Sequence, residues 1–300
     1  MKITEIFKKK GFLLTCEIGP PKGYKMDSVI EKILDLKDFI DAFNVTDFQG
    51  STMRMSSPFA SYILKKNGFE VIMQLTTRDR NRIALQGDLL GAFSLGIENV
   101  LALTGDPPSV GDHPEAKPVF DIGSSELISV IKKLNEGYDM MGNRLEEKTD
   151  FCIGCAANPC VENIDEEFGK LEKKIKAGAE FIQTQAVYEV ERFSKFIEKF
   201  RKNFGNIPVL VGIVFIKSAK MAKYMNENIP GIFVPEYLIK EISKFDSEEI
   251  KERKRKAAKI MEKIVIELKE TPIDGFHFMP LGWYESVRYL FESLKEEKVF

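Results

Sequence analysis

Two carboxylates stand where apolar runs stop: Glu17 near the end of "GFLLTCEIG" (11–19) and Asp106 in "NVLALTGDPP" (99–108). In the second stretch the run Val100 to Leu103 ends at Thr104, Gly105 and Asp106, and two prolines then bar any continued strand or helix. Other apolar runs end the same way. Thr46 and Asp47 close "AFNVTD" (42–47), Gln74 and Thr76 close "EVIMQLT" (70–76), and Ala156 and Asn158 follow "FCIGC". Gln183 and Gln185 lie in "FIQTQAV" (181–187), Gly212 in "VLVGIV" (209–214), and Met279 and Pro280 end "GFHFMP" (275–280). On a single strand such a residue is explained by a helix cap or a turn, which suits Asp47 and Thr76. Repeated over five or six strands, the pattern points to a shared ligand site.

The residue types limit the chemistry. His113 lies in a polar loop, and His277 lies inside an apolar strand, where a satisfied core histidine is the expectation. A catalytic metal needs at least three converging ligands, and the sequence shows no such set. No GxSxG, Ser-His-Asp or phosphate-loop pattern is present. The stretch "CIGCAANPC", with Cys16, invites a metal or iron–sulfur reading. Cys152 and Cys155 are three apart on an expected strand, however, so they face opposite ways, and no second CxxC exists. Buried or loop thiols are expected instead. What remains is a site of two acids, amides and backbone groups. It suits an organic cofactor or a nitrogen-rich substrate that needs one proton transfer.

The elements that position these residues recur in a fixed order: a short apolar run, a polar or Gly/Pro break, then an amphipathic segment. Eight runs read as strands: 11–19, 42–47, 70–76, 99–106, 151–157, 181–187, 209–214 and 275–280. Helical spacing lies between most of them. Val29, Ile30, Ile33, Leu36 and Ile40 share one face of 26–40. Further helices are expected over 82–97, 166–179 (with Gly178 as C-cap), 190–205, 217–228, 247–269 and 283–297. Strands apolar throughout and alternating with helices imply a parallel sheet covered on both faces. Eight such units in 300 residues predict a single-domain α/β fold, a (β/α)8 TIM barrel spanning 1–300. The alternative, a doubly wound open sheet, lacks its GxGxxG loop.

Composition narrows the partners. Lys and Arg total 44 against 46 Asp and Glu, with no basic stripe, so nucleic acid is not expected. The N-terminal apolar run is too short for a signal peptide or a membrane span, which makes a cytoplasmic protein the expectation.

Several segments together resemble the methylenetetrahydrofolate reductase family: "CEIGPPKG", "NVTD" with "RMS" after it, "QLTTRDRNRIALQGDLLGAFSLGIENVLALTGDPPSVGDHPEAKPVFD", "IGCAANPC", "LEKKIKAGAEFIQTQAVYE", "PVLVGI", "NIPGIFVPE" and "GFHFMP". They run in order over about 280 residues, and the pattern is similar to a bacterial branch also found fused to homocysteine methyltransferases. The resemblance implies a (β/α)8 barrel that uses FAD to reduce 5,10-methylenetetrahydrofolate to 5-methyltetrahydrofolate, with NADH or NADPH reducing the flavin in a separate half-reaction.

By the same resemblance Glu17 is the general acid that protonates N10, so that the folate's five-membered ring opens to the N5 iminium. Burial at a strand end would raise its pKa for that task. Asp106 would lie beside flavin and pterin, where its charge disfavours anionic reduced flavin and favours positive charge on the folate. Gln185 matches the glutamine of the folate site, and Met225 a position packed on the nucleotide or folate. Thr46, Thr104, Gly105, Ala156 and Lys174 match positions lining FAD, Lys174 being placed for its phosphates. Gln74 and Asn158 stand at cofactor positions where His and Tyr are common, and Trp283 where some members have Arg. These departures bear on the electron donor and on contacts with the glutamate tail. A second reading makes the chain a subunit that takes electrons from a partner protein, and a third makes it a pterin-binding non-enzyme. Assembly into a homo-oligomer is compatible with each.

Overall fold

The computed structural model describes residues 1–229 and 231–297. Eight strands form one closed sheet: β1 (Leu13–Ile18), β2 (Ala42–Val45), β3 (Val71–Thr76), β4 (Asn99–Leu103), β5 (Cys152–Ala157), β6 (Phe181–Ala186), β7 (Val209–Val214) and β8 (Gly275–Met279). Every neighbouring pair is parallel, and β8 closes on β1 with His277 opposite Thr15. All eight expected strands are present: β7 keeps the expected bounds, and the others are shorter by one to three residues. The barrel forms because each strand, apolar on both faces, needs a helix outside and side-chain layers inside.

The helices expected over 82–97, 166–179, 190–205, 217–228, 247–269 and 283–297 occupy Arg82–Ser94, Ile164–Ala177, Val190–Phe204, Ala219–Asn228, Ile250–Lys269 and Tyr284–Glu296. Gly178 ends its helix at φ +119°, the left-handed C-cap that its position suggested. The segment 26–40 is shorter in helix than its periodicity implies: Asp27–Ile33 is helical, and a single 3-10 turn follows at Leu34–Leu36.

Four helices have weaker sequence signals: Ile3–Lys10, Ser57–Lys66, Ser124–Glu136 and Glu236–Ser243. The first closes the amino-terminal end of the barrel. Its Ile3 and Ile6 pack on the lowest interior layer, made of Leu13, Ala42, Ile72, Leu101, Cys152, Phe181 and Leu210. Asn99 Oδ1 accepts the Ile3 amide proton at 2.8 Å, which satisfies one exposed helix-start donor. Gly154 belongs to this packing: a Cβ there would lie 2.2 Å from the Phe181 ring, so only glycine leaves that ring room to fill the barrel floor. Among the described residues no helix is long and apolar enough to cross a membrane.

Candidate active site

At the carboxyl ends of the strands the barrel opens into a cavity of about 310 Å³. Among the residues singled out from the sequence, Glu17, Gln74, Thr104, Gly105, Asp106, Ala156 and Gln185 line it, and so do the strand-end residues Asp47, Thr76, Gln183 and Met279. They come from seven different strands and their following loops, as a shared rim site requires.

Glu17 is the buried acid of this group, 7% exposed near the end of β1. Its Oε1 accepts a hydrogen bond from Gln49 Nε2 at 2.8 Å, and Gln74 also hydrogen-bonds to it. Burial in the barrel mouth raises its carboxyl from 4.5 to about 7, against the opposing pull of the two amides. A carboxyl so placed is half protonated near neutral pH and can give up its proton there.

Asp106 follows β4, three strands around the barrel from β1, and is exposed. Its position is set by backbone geometry. Gly105 takes φ +90°, and a Cβ there would sit 3.2 Å from the Thr76 side chain and 3.3 Å from that of Arg78. Arg78, 1% exposed, then grips the turn: Nη1 donates to the Asp106 carbonyl at 3.1 Å and Nη2 to the Phe48 carbonyl at 3.3 Å. Its Nη2 and Nε also donate to the Asp79 carboxylate, at 2.7 and 2.9 Å. Phe48 adopts the left-handed region at φ 49°, an unusual conformation for an aromatic residue, and it lines the cavity.

Asp47 is a scaffold group. One carboxylate oxygen accepts from the Thr76 amide and hydroxyl, both at 2.9 Å, and Arg80 pairs with both oxygens at 2.7 and 3.1 Å. The ends of β2 and β3 are thereby fastened together, in keeping with the turn role suggested by the sequence.

Thr46, Lys174, Asn158, Met225 and Trp283 do not line the cavity. Thr46 is fully buried, and among the described residues its hydroxyl has no hydrogen-bond partner. Lys174 reaches back from its helix and donates to the Ala156 carbonyl at 2.7 Å. Asn158 shapes the turn after β5, accepting the Cys160 amide proton at 3.3 Å and giving its own amide proton to Glu167 at 2.8 Å. Met225 is buried in the layer between strands and helices. Trp283 lies between two cations, Lys217 at 5.5 Å and Arg253 at 5.6 Å from its ring centre. All four cysteines are buried free thiols. Cys152 faces the barrel interior and Cys155 the outer layer, the opposite faces that their spacing implies.

Three residues of the site carry weak sequence signals. Gln49 and Phe48 belong to an irregular loop with no periodic signal. Arg78, in "TTRDRN", reads as one more surface cation, although it forms part of the cavity wall.

A closed parallel barrel with a raised-pKa acid, amides and a second acid at its mouth has the chemistry of a proton donor facing a heteroatom-rich ligand. The family model "Methylenetetrahydrofolate reductase" matches residues 2–295, and the chain belongs to that family. Among curated relatives, "Methylenetetrahydrofolate reductase 2" of Schizosaccharomyces pombe is 30% identical over 262 residues, covering 81% of this chain and 38% of its own length. A second protein of that yeast is covered over 40% of its length, so the chain spans about two fifths of these longer relatives. The "5,10-methylenetetrahydrofolate reductase" of Buchnera aphidicola is 26% identical, with 89% of this chain and 86% of that protein aligned. Among solved structures, a Clostridium thermocellum protein described as binding two copies of 5-methyl-5,6,7,8-tetrahydrofolic acid superposes with a TM-score of 0.63 at 17% identity. It covers 98% of this chain and 99% of its own, and shows the same fold.

Proposed function

We propose that this chain reduces 5,10-methylenetetrahydrofolate to 5-methyltetrahydrofolate with FAD as its cofactor. The observation that carries the reading is Glu17: a buried carboxyl, raised to about 7, on the wall of the cavity at the strand ends. Opening the folate's five-membered ring requires a proton on N10 at neutral pH, and an ordinary carboxyl is almost wholly ionised there.

The residues present fit a flavin. Thr46 offers a buried hydroxyl that no group among the described residues satisfies, a costly arrangement unless a ligand supplies the partner. Thr104, Gly105, Gln74 and Ala156 supply amide, hydroxyl and backbone groups to the cavity itself, and Lys174 and Asn158 shape the neighbouring turn. Bound FAD would supply the hydride that reaches the folate. Everything else falls to the chain. Glu17 holds and releases the proton. Gln185, exposed in the mouth, offers its amide to the pterin, and Asp106 presents negative charge where positive charge develops on the substrate. The folate titles of several relatives and of the Clostridium neighbour support the choice of substrate. The four buried, unpaired thiols support a reducing, cytoplasmic setting.

The test is an absorbance spectrum of the purified protein, then anaerobic addition of NADH or NADPH followed by 5,10-methylenetetrahydrofolate. A flavin spectrum bleached by a nicotinamide and restored by methylenetetrahydrofolate is the expected result. A protein that takes up no flavin on reconstitution refutes the proposal. Bleaching by dithionite alone, followed by normal folate reduction, would assign the electron supply to a partner protein.

A further inference from the structure

His277 lies within an apolar run, where a satisfied core histidine is expected, yet the structure places it at the floor of the cavity. It is 3% exposed, mid-way along β8, with its Nδ1 2.9 Å from the Thr15 hydroxyl. That hydroxyl accepts from Gln183 Nε2 at 3.2 Å, and Gln183 pairs twice with Asn44, at 2.6 and 3.1 Å. Thr15 has a single proton to give. Its two possible acceptors are His277 Nδ1 at 2.9 Å and the Phe276 carbonyl at 3.4 Å. With the proton on the shorter contact, Nδ1 is the bare nitrogen and Nε2 carries the hydrogen. Among the described residues none hydrogen-bonds to Nε2. The amide protons of Gln183 are both engaged, so this floor presents one free donor to whatever enters.

We propose that His277 is a ligand-contacting residue, its Nε2–H donating to a carbonyl oxygen or bare ring nitrogen on the deepest edge of the bound heteroaromatic ring. Thr15, Gln183 and Asn44 are positioning residues that fix the tautomer from behind. The identity of that ring rests on the folate and flavin reading above. Burial pushes the imidazole down to about 3, so the ring stays neutral and acts as a donor across the physiological range, not as an acid. A ligand edge with an amino or N–H group at this depth would meet donor with donor and be rejected.

With only two histidines in the chain, ¹⁵N-histidine labelling gives a readable spectrum. In the protein as purified, His277 should show a protonated Nε2 and a bare Nδ1, unchanged from about pH 5 to 8. A proton on Nδ1, or titration within that range, overturns the proposal. Saturation with 5-methyltetrahydrofolate or with FAD, followed independently by calorimetry, should move the Nε2–H signal downfield. Saturation by both probes without any shift overturns the contact. If neither probe binds, the folate reading fails, and the tautomer alone decides whether His277 is a donor. His277→Phe should weaken binding of the contacting probe roughly tenfold. His277→Gln, whose amide nitrogen can reach the place of Nε2, should restore most of that loss. Equal weakening by both substitutions, each with a native melting transition, would reduce His277 to packing. Thr15→Val should produce a mixture of tautomers in the ligand-free protein, which a purely structural threonine would not.

Discussion

Replacing Glu17 by Gln keeps the side chain's shape and its ability to accept from Gln49, but removes its charge. In the folded protein the carboxyl titrates near 7, against 4.5 for a free glutamate. At about 1.4 kcal/mol per pH unit this corresponds to roughly 3 kcal/mol held against the ionised form. The folded state thus binds the extra proton between these two values. Wild-type stability should fall as pH rises from about 4.5 to 7, the penalty being absent below that window and complete above it. Glu17→Gln should therefore melt with wild-type stability near pH 4.5 and be the more stable protein at pH 8, by up to about 3 kcal/mol. The same substitution should slow folate reduction by roughly 10²–10⁴-fold, the usual contribution of a general acid, while flavin reduction by its donor persists. Wild-type folate reduction should fall about tenfold per pH unit above 7. Urea unfolding of both proteins at pH 4.5 and 8, together with single-turnover folate reduction from pH 6 to 9, measures all three effects. A variant less stable than wild type at pH 8, or a flat wild-type pH profile, would refute the assignment.

Asp106→Asn removes an exposed negative charge at the mouth, worth on the order of 1 kcal/mol at contact distance. A redox titration should find the flavin potential raised by on the order of 20 mV, with slower folate reduction, and an unchanged potential counts against the electrostatic role. Gly105→Ala forces a Cβ into a left-handed turn against Thr76 and Arg78. It should cost about 1–3 kcal/mol in thermal unfolding and lower flavin occupancy, and wild-type values for both would show the turn to be slack. Gly154→Ala drives a methyl into the Phe181 ring, so a loss of about 3 kcal/mol or an insoluble protein is expected. Adding Phe181→Leu should recover part of that loss, which distinguishes this clash from a general intolerance of the strand.

How far the site was legible follows from which residues act through their own type and which act through neighbours. Glu17, Gln74, Asp106 and Gln185 were legible because a polar side chain after an apolar run is conspicuous in one dimension. Arg78 was not: an arginine in a loop is ordinarily solvated, and only the fold shows that three of its partners are the Asp79 carboxylate and the Phe48 and Asp106 carbonyls. Lys174 was expected among ligand phosphates on the strength of family resemblance, and the structure ties its ammonium to the Ala156 carbonyl. The fold was legible for a different reason. Eight apolar runs at regular intervals leave few ways to bury both faces of a sheet, whereas short helices such as Ser57–Lys66 depend on tertiary packing for their existence.

The strand bodies show what a reading of average hydropathy conceals. Inward positions on a barrel strand recur at every second residue, and taken in that step the strands climb in polarity. β1 runs Leu13, Thr15, Glu17; β2 runs Ala42, Asn44, Thr46; β3 runs Ile72, Gln74, Thr76; β6 runs Phe181, Gln183, Gln185. The first of each set packs in the apolar floor. The second set includes Thr15, Asn44 and Gln183, hydrogen-bonded among themselves beneath the cavity, and Gln74, which braces Glu17 from its wall. In the third set Glu17, Thr76 and Gln185 reach the mouth. This gradient explains how an ionisable acid can be held in a barrel without opening the core to water: neutral amides and hydroxyls, paired with one another, separate the charge from the apolar layer. It also explains why Glu17 titrates near 7. Beneath it lie groups that are polar yet already engaged, so its two amide bonds do not fully offset the loss of water. Loosening the middle layer, as Asn44→Ala would do, should free the Gln183 amide toward the cavity and admit solvent. The pKa of Glu17 should then move down toward its ordinary value, with the steep fall in the pH profile of folate reduction moving to lower pH alongside it.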